Sequence, residues 1–221
     1  GGSDKIFDCL LEHCHAMGKL PAMSNRTVSG HQRNEFSFYE FFAGGGMARA
    51  GLGKSWKCLF ANDFDAKKGE TYRLNWGSEE LHVGDVRDIE LARFPGHPDL
   101  VWGSFPCQDL SLAGNGAGLK GARSGTFWPF FEHVKQLRAI GRGPSLVVLE
   151  NVFGTLRSHQ GKDFQAIADA LAGEGFRLGA MIVDACLFVP QSRPRLFVVA
   201  VDQQVAIPGG MLDLGASDLW H

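Results

Sequence analysis

From Phe36 onward the chain repeats one pattern: a short apolar run, a loop, then a stretch with helical spacing. Strands are expected at 36–42, 56–63, 81–86, 98–105, 145–151, 178–188 and 194–202. Helical spacing falls at 48–54, 65–76, 126–140 and 163–176, with Pro129 near a helix start, where proline is tolerated. Strands alternating with helices of roughly 10–15 residues predict an α/β domain built on a doubly wound, mainly parallel sheet. Ligands of such sheets lie beyond the carboxyl ends of the strands. Three segments follow: a leader or arm over 1–35 with a short helix at Ile6–Met17, the α/β domain over 36–202, and a loop-like extension over 203–221.

Composition narrows the classes. The 221 residues, 44% hydrophobic and 21% charged, suffice for one good-sized domain. No apolar run approaches the roughly 20 residues of a membrane span, so a membrane role is not expected. Five cysteines at 9, 14, 58, 107 and 186 form no CxxC pair, so neither a disulfide framework nor a metal site is indicated. A reducing, cytoplasmic setting fits. The formal net charge of −2 leaves any grip on nucleic acid to a local patch or another polypeptide.

After the first strand comes "FAGGGM", where Gly44 and Gly46 let backbone N–H groups approach a ligand at a helix start. Asp63 follows Gly44 by 19 residues, at the end of the next strand, placed to accept ribose hydroxyls. Phe64 beside it can cover an adenine ring, and Asp85 can accept from an adenine amino group. The sixth position counted from Gly44 is Arg49, not the third glycine of a dinucleotide fingerprint. That leaves a mononucleoside ligand, with helix caps as the plainer role for both aspartates.

The fourth strand runs out into "GSFPCQDLSLAG", which sets Cys107 between Pro106 and Gln108. Glu150 and Asn151 end the fifth strand, and "PQSRPRLF" carries Arg193 and Arg195 into the last. A thiol, a carboxylic acid and guanidinium groups at neighbouring strand ends suit nucleophilic attack on an electron-poor ring. Cys58 and Cys186 fall inside strand-like runs and are expected in the core.

Together these segments resemble the cytosine-C5 DNA methyltransferases. "FFAGGGM" is similar to their F-x-G-x-G loop, "GSFPCQDLS" to G-x-F-P-C-Q-x-x-S, "ENV" to the acid motif and "QSRPR" to Q-x-R-x-R, in the family's order. "ANDFDAKKGETYRLNWG" and "GDV" match the ribose and adenine segments, and "SGTFWPFF" the G-T-L-F helix start. The resemblance implies the Rossmann-like fold of class I methyltransferases, S-adenosylmethionine as cofactor with S-adenosylhomocysteine as product, and double-stranded DNA as partner. It also implies a bacterial cytoplasmic or nucleoid location, with restriction–modification, regulation and phage evasion all open as the biological role. Cys107 would attack C6 of a flipped-out cytosine and Glu150 would protonate N3, with Arg195 and Arg193 as further catalytic contacts. Phe105, Gln108 and Ser111 would touch substrate. Phe42, Gly44, Gly46, Asp63, Phe64, Asp85, Val86, Pro106 and Phe127 would line the cofactor pocket.

Met47, Glu40 and Phe127 depart from the family's usual glycine, aspartate and leucine. The family's target-recognition segment and final motifs do not follow Q-x-R-x-R, which predicts either a truncated chain or a split enzyme with a second polypeptide. Two other readings stay open. One is a non-catalytic regulatory or DNA-binding module, which would need none of Cys107, Glu150 and Arg195. The other is a tRNA cytosine-C5 methyltransferase, but the C-F-T tripeptide of that branch is not found where Val152 leads into "FGTLRSH".

Overall fold

A computed structural model describes residues 35–106, 125–156 and 158–208. The chain divides into two compact units, Arg33–Asp202 and Gly1–Gln32 with Gln203–His221. The elements described here belong to the first. The helix expected at Ile6–Met17 lies outside the described residues, as does the glycine-rich loop after Cys107.

Strands β1 (Phe36–Phe41), β2 (Trp56–Asp63), β3 (Leu81–Val83), β4 (Leu100–Gly103), β5 (Leu146–Val152), β6 (Phe176–Asp184) and β7 (Pro194–Asp202) form one sheet in the order β3-β2-β1-β4-β5-β7-β6. The pairs among β1 to β5 are parallel, and β7 runs antiparallel to both β5 and β6. This is the Rossmann-like, mainly parallel sheet expected. Strand order reverses between β1 and β4, so the crevice outside their carboxyl ends is the natural ligand site.

The central strands read as apolar runs because helices cover them. Helices α1 (Met47–Leu52), α2 (Ala66–Trp76), α3 (Phe127–Ala139) and α4 (Lys162–Gly173) connect them. Asp65 caps α2 by accepting the Lys67 and Lys68 N–H groups, and Gly77 at φ 88° ends it. In α3, Phe127, Phe130, Phe131, Val134 and Leu137 are buried at helical spacing, which lays one apolar stripe on the sheet. Phe130 meets Phe41 edge-on at 5.1 Å, and Phe94 meets Phe60 at 4.9 Å. Such pairs add roughly 0.5–1.5 kcal/mol each beyond the area they bury. No described helix is long and apolar enough to cross a membrane.

Four expectations need correction. The first strand ends at Phe41, because Phe42 turns to φ 59°, and the third stops at Val83 rather than 86. Gly84 is drawn into a turn there, as Asn62 Nδ2 donates to the carbonyls of His82 and Gly84 at 3.1 and 2.9 Å. The sixth strand starts at Phe176 and ends at Asp184, whose carboxylate captures the following backbone into a turn. Cys186 therefore lies exposed in that turn and not in the core, whereas Cys58 is buried as expected.

Candidate active site

Phe42 to Gly46 form a tight exit from β1. Phe42, Gly44 and Gly46 hold positive φ values of 59°, 56° and 81°. A left-handed non-glycine residue stores strain that its surroundings must hold. Here Asp63 Oδ2 takes the Gly44 N–H at 2.8 Å, and the Asn62 carbonyl takes the Ala43 N–H at 2.9 Å. From the far side, Trp76 Nε1 and Asn75 Nδ2 both donate to the Gly45 carbonyl, at 3.0 and 3.1 Å. The loop is thus fixed by β2 and by the end of α2. A Cβ built on Gly44 would meet nothing within 4 Å, so that backbone borders open space.

Asp63 is buried, and its Oδ1 also accepts the Asp65 N–H at 2.9 Å. The carboxylate therefore organises the turn, and Asp65 rather than Asp63 caps α2. Phe64 leaves its ring 73% exposed beside it. Asp85 Oδ1 takes the Arg87 N–H at 2.9 Å, the capping role open to it from sequence, with the Arg87 guanidinium 3.7 Å from Oδ2. Val86 is buried, and its carbonyl accepts from His133 Nε2 at 2.7 Å. Burial holds the His133 pKa below its ordinary value, so the neutral ring donates from Nε2 and ties α3 to this segment. An open glycine turn, an uncovered aromatic ring and carboxylates with spare lone pairs fit a nucleoside ligand.

Glu40 lies beneath α1, buried, and accepts the Ala48 N–H at 3.0 Å. Its Oε2 has no hydrogen-bond partner among the described residues. Burial raises its pKa from 4.5 to about 7, against the opposing pull of the Ala48 and Arg49 N–H groups and the Arg49 charge. Between those two values the folded chain keeps a proton that the unfolded chain has released. Stability therefore falls as pH rises through that window, by up to about 3 kcal/mol, and levels off above it. Urea titrations of the wild type and Glu40→Gln from pH 4 to 8 should show this slope only in the wild type; equal slopes would remove Glu40 as its source.

Toward the other side of the crevice, Phe105 is buried against Phe127, with ring centroids 5.4 Å apart, and Pro106 is exposed. Cys107, Gln108 and Ser111 lie outside the described residues. Their anchor is visible: Asn151 Nδ2 donates to the Phe105 carbonyl at 3.0 Å. Asn151 Oδ1 in turn accepts from the Val152 N–H at 2.8 Å and the Thr155 hydroxyl at 3.0 Å. This buried amide locks the exit of β4 to the exit of β5. Sequence reasoning gave Asn151 no role; its place next to Glu150 was the available signal.

Glu150 and Arg195 meet directly, Nε to Oε1 at 2.8 Å. The register explains it: Arg195 pairs with Val152, two residues beyond Glu150 on the same face. Arg193 instead lies exposed in the turn before β7, its backbone N–H held by Asp184. The structure thus unites Glu150 with Arg195 and places Arg193 at the rim.

The family model for C-5 cytosine-specific DNA methylase matches residues 36–211. Type II methyltransferase M.HpaII of Haemophilus parainfluenzae is 31% identical over 210 residues, covering 92% of this chain and 56% of that protein. Type II methyltransferase M.Eco47II of Escherichia coli is 31% identical over 176 residues, covering 78% of this chain and 41% of that protein. The chain thus spans about half the length of these relatives. Among solved structures, the S. pombe Dnmt2 methyltransferase superposes with a TM-score of 0.61 at 21% identity, over 81% of this chain and 59% of that one. The Entamoeba histolytica methyltransferase EhMeth superposes with a TM-score of 0.57 at 18% identity, over 76% of this chain and 53% of that one. The glycine turn, the Asn151 anchor and the Glu150–Arg195 pair therefore sit on the fold of methyltransferases, and the chain belongs to the C-5 cytosine-specific DNA methylase family.

Proposed function

We propose that this chain carries the catalytic centre of a DNA cytosine-C5 methyltransferase, working through a covalent bond between Cys107 and cytosine C6. The observation that carries the reading is the Glu150–Arg195 pair at 2.8 Å, next to the Asn151 side chain that anchors the backbone leading into Cys107. A carboxyl fixed by a guanidinium, beside a nucleophile loop, is the arrangement that activation of a pyrimidine requires.

In this reading Phe42, Gly44, Gly46, Asp63, Phe64, Asp85, Val86, Pro106 and Phe127 hold S-adenosylmethionine, which supplies an electrophilic methyl group on a sulfonium. The Cys107 thiolate adds to C6 while Glu150 delivers a proton to N3, so the ring electrons collect at C5. Arg195 keeps the Glu150 carboxyl aimed, and Arg193 meets the base or nearby backbone from the rim. The Phe105 carbonyl has a second lone pair left by Asn151 and receives the cytosine amino group, with Gln108 and Ser111 on the DNA backbone. After methylation at C5, loss of the C5 proton expels Cys107 and restores the ring. A stacked base is out of reach of such a centre, so the target cytosine leaves the duplex. The same reading assigns the chain to restriction–modification in the bacterial cytoplasm, supported by bacterial relatives named Type II methyltransferases.

The test is mass spectrometry of the chain incubated with S-adenosylmethionine and random-sequence duplexes containing 5-fluorocytosine, alone and mixed with the C-terminal half of a relative. Fluorine cannot leave C5 as a proton does, so the adduct persists. A DNA adduct on the peptide containing Cys107 is expected. Absence of adduct in both mixtures, with cofactor bound, overturns the reading.

A further inference from the structure

The turn between β6 and β7 hangs from one side chain. Asp184, the last residue of β6, takes the backbone N–H groups of Cys186 and Arg193 on Oδ1 at 3.0 and 2.6 Å. Its Oδ2 takes the Ser192 hydroxyl at 2.8 Å. The carboxylate therefore joins the first residues of the turn to the last. Apolar packing contributes little there, since Leu187 is 62% exposed and Phe188 and Val189 are also open to solvent. Backbone bonds inside the turn, such as Ala185 N–H to the Arg193 carbonyl at 3.3 Å, follow the same closure.

The turn leads straight into the site. Asp184 pairs with Pro194, and Val183 with Arg195. Pro194 has no N–H to give the sheet, so the first position of β7 lacks a ladder donor. The bond from the Arg193 N–H to Asp184, one residue earlier, supplies the missing tie. One residue later stands Arg195, whose Nε meets Glu150. The Asp184 carboxyl is held below its ordinary pKa, chiefly by the two backbone N–H groups, so it is ionised and fully accepting at neutral pH.

We propose that Asp184 is the positioning residue of the arginine segment: by closing the turn it sets where β7 begins, and so keeps Arg195 on Glu150 and Arg193 at the rim. Its catalytic consequence rests on the methyltransferase reading, but its structural consequence does not. Asparagine at this position keeps Oδ1 for the two N–H groups and can donate to Ser192 Oγ from its amide. Alanine keeps neither.

The first measurement is hydrogen exchange at the Arg195 Nε–H in the ¹⁵N-labelled chain, its signal identified by loss in Arg195→Lys. Exchange should quicken about tenfold or more in Asp184→Ala and stay within about threefold of wild type in Asp184→Asn. The melting temperature should move by no more than about 2 °C, because the carboxylate lies outside the apolar core. The second measurement is the first-order rate of 5-fluorocytosine trapping at saturating DNA. It should fall about tenfold in Asp184→Ala and recover in Asp184→Asn, with half-saturating DNA unchanged within about threefold. Wild-type exchange in Asp184→Ala overturns the proposal, and so does an Asp184→Asn variant no better than the alanine. A large fall in melting temperature overturns it too, by making the loss global. If the wild-type chain, with cofactor bound, traps no DNA even when mixed with the C-terminal half of a relative, only the methyltransferase reading fails, and the exchange measurement still decides the role of Asp184.

Discussion

Cys107→Ser should abolish methyl transfer, by about 10⁴-fold or more, while S-adenosylmethionine affinity stays within about threefold of wild type. A free thiol ionises near pH 8.5, whereas an alcohol is essentially never ionised at neutral pH, so serine offers no comparable nucleophile for C6. The backbone leading up to residue 106 should be unaffected. Phe105 stays buried against Phe127, and its carbonyl stays on Asn151, whatever the side chain two residues later. The proposed cofactor residues lie mostly on the exits of β1 and β2 and in the turn after β3, which is why binding should survive. Transfer of labelled methyl to DNA and calorimetric titration of the cofactor make the comparison. A serine variant within tenfold of the wild-type rate would rule out the covalent route, even if the chain proved to be a methyltransferase.

Gly46→Ala should cost about 3 kcal/mol of stability, and cofactor affinity with it. Two independent penalties meet at this residue. Its φ of 81° is a conformation L side chains rarely adopt, and a Cβ there would stand 2.2 Å from Trp76 Nε1. Trp76 would have to move, and moving breaks the 3.0 Å bond to the Gly45 carbonyl that pins the loop. For a domain of this size the melting temperature should drop by roughly 6–12 °C. Gly44→Ala provides the contrast, since its φ is also positive but no atom lies within 4 Å of the added carbon. Equal losses in the two variants would mean that backbone strain alone, not the contact with Trp76, decides the outcome.

The sequence made much of this site legible because its signals are local. Three consecutive glycines after an apolar run require a tight strand exit, and the alternation of apolar runs with helical spacing requires a parallel sheet with ligands at one edge. The motifs around Cys107, Glu150 and Arg195 carried the family resemblance before any distance was known. Elements were misplaced where a single side chain outbids propensity. Asn62 bends the chain at Gly84, and Asp184 ends β6 although residues 185–188 read as a strand continuing.

Asn151 shows the other limit. Its amide matters through Phe105, 46 residues away along the chain, and no local pattern reveals that bond. His133 is similar: it is buried and holds the Val86 carbonyl, 47 residues distant along the chain.

Glu150 and Arg195 were both named from sequence, but their meeting depends on the antiparallel insertion of β7 between β5 and β6. That insertion places Arg195 opposite Val152 and on the face of Glu150. By itself the sequence determined the sheet class, the glycine turn and the family, and it nominated the proposed reacting groups, since periodicity, steric freedom and side-chain chemistry are properties of short stretches. Only the tertiary structure decided that Arg195 rather than Arg193 pairs with Glu150, that Asn151 anchors the Phe105 backbone and that Asp184 closes the turn. Each depends on strand register and on hydrogen bonds formed after the sheet has assembled.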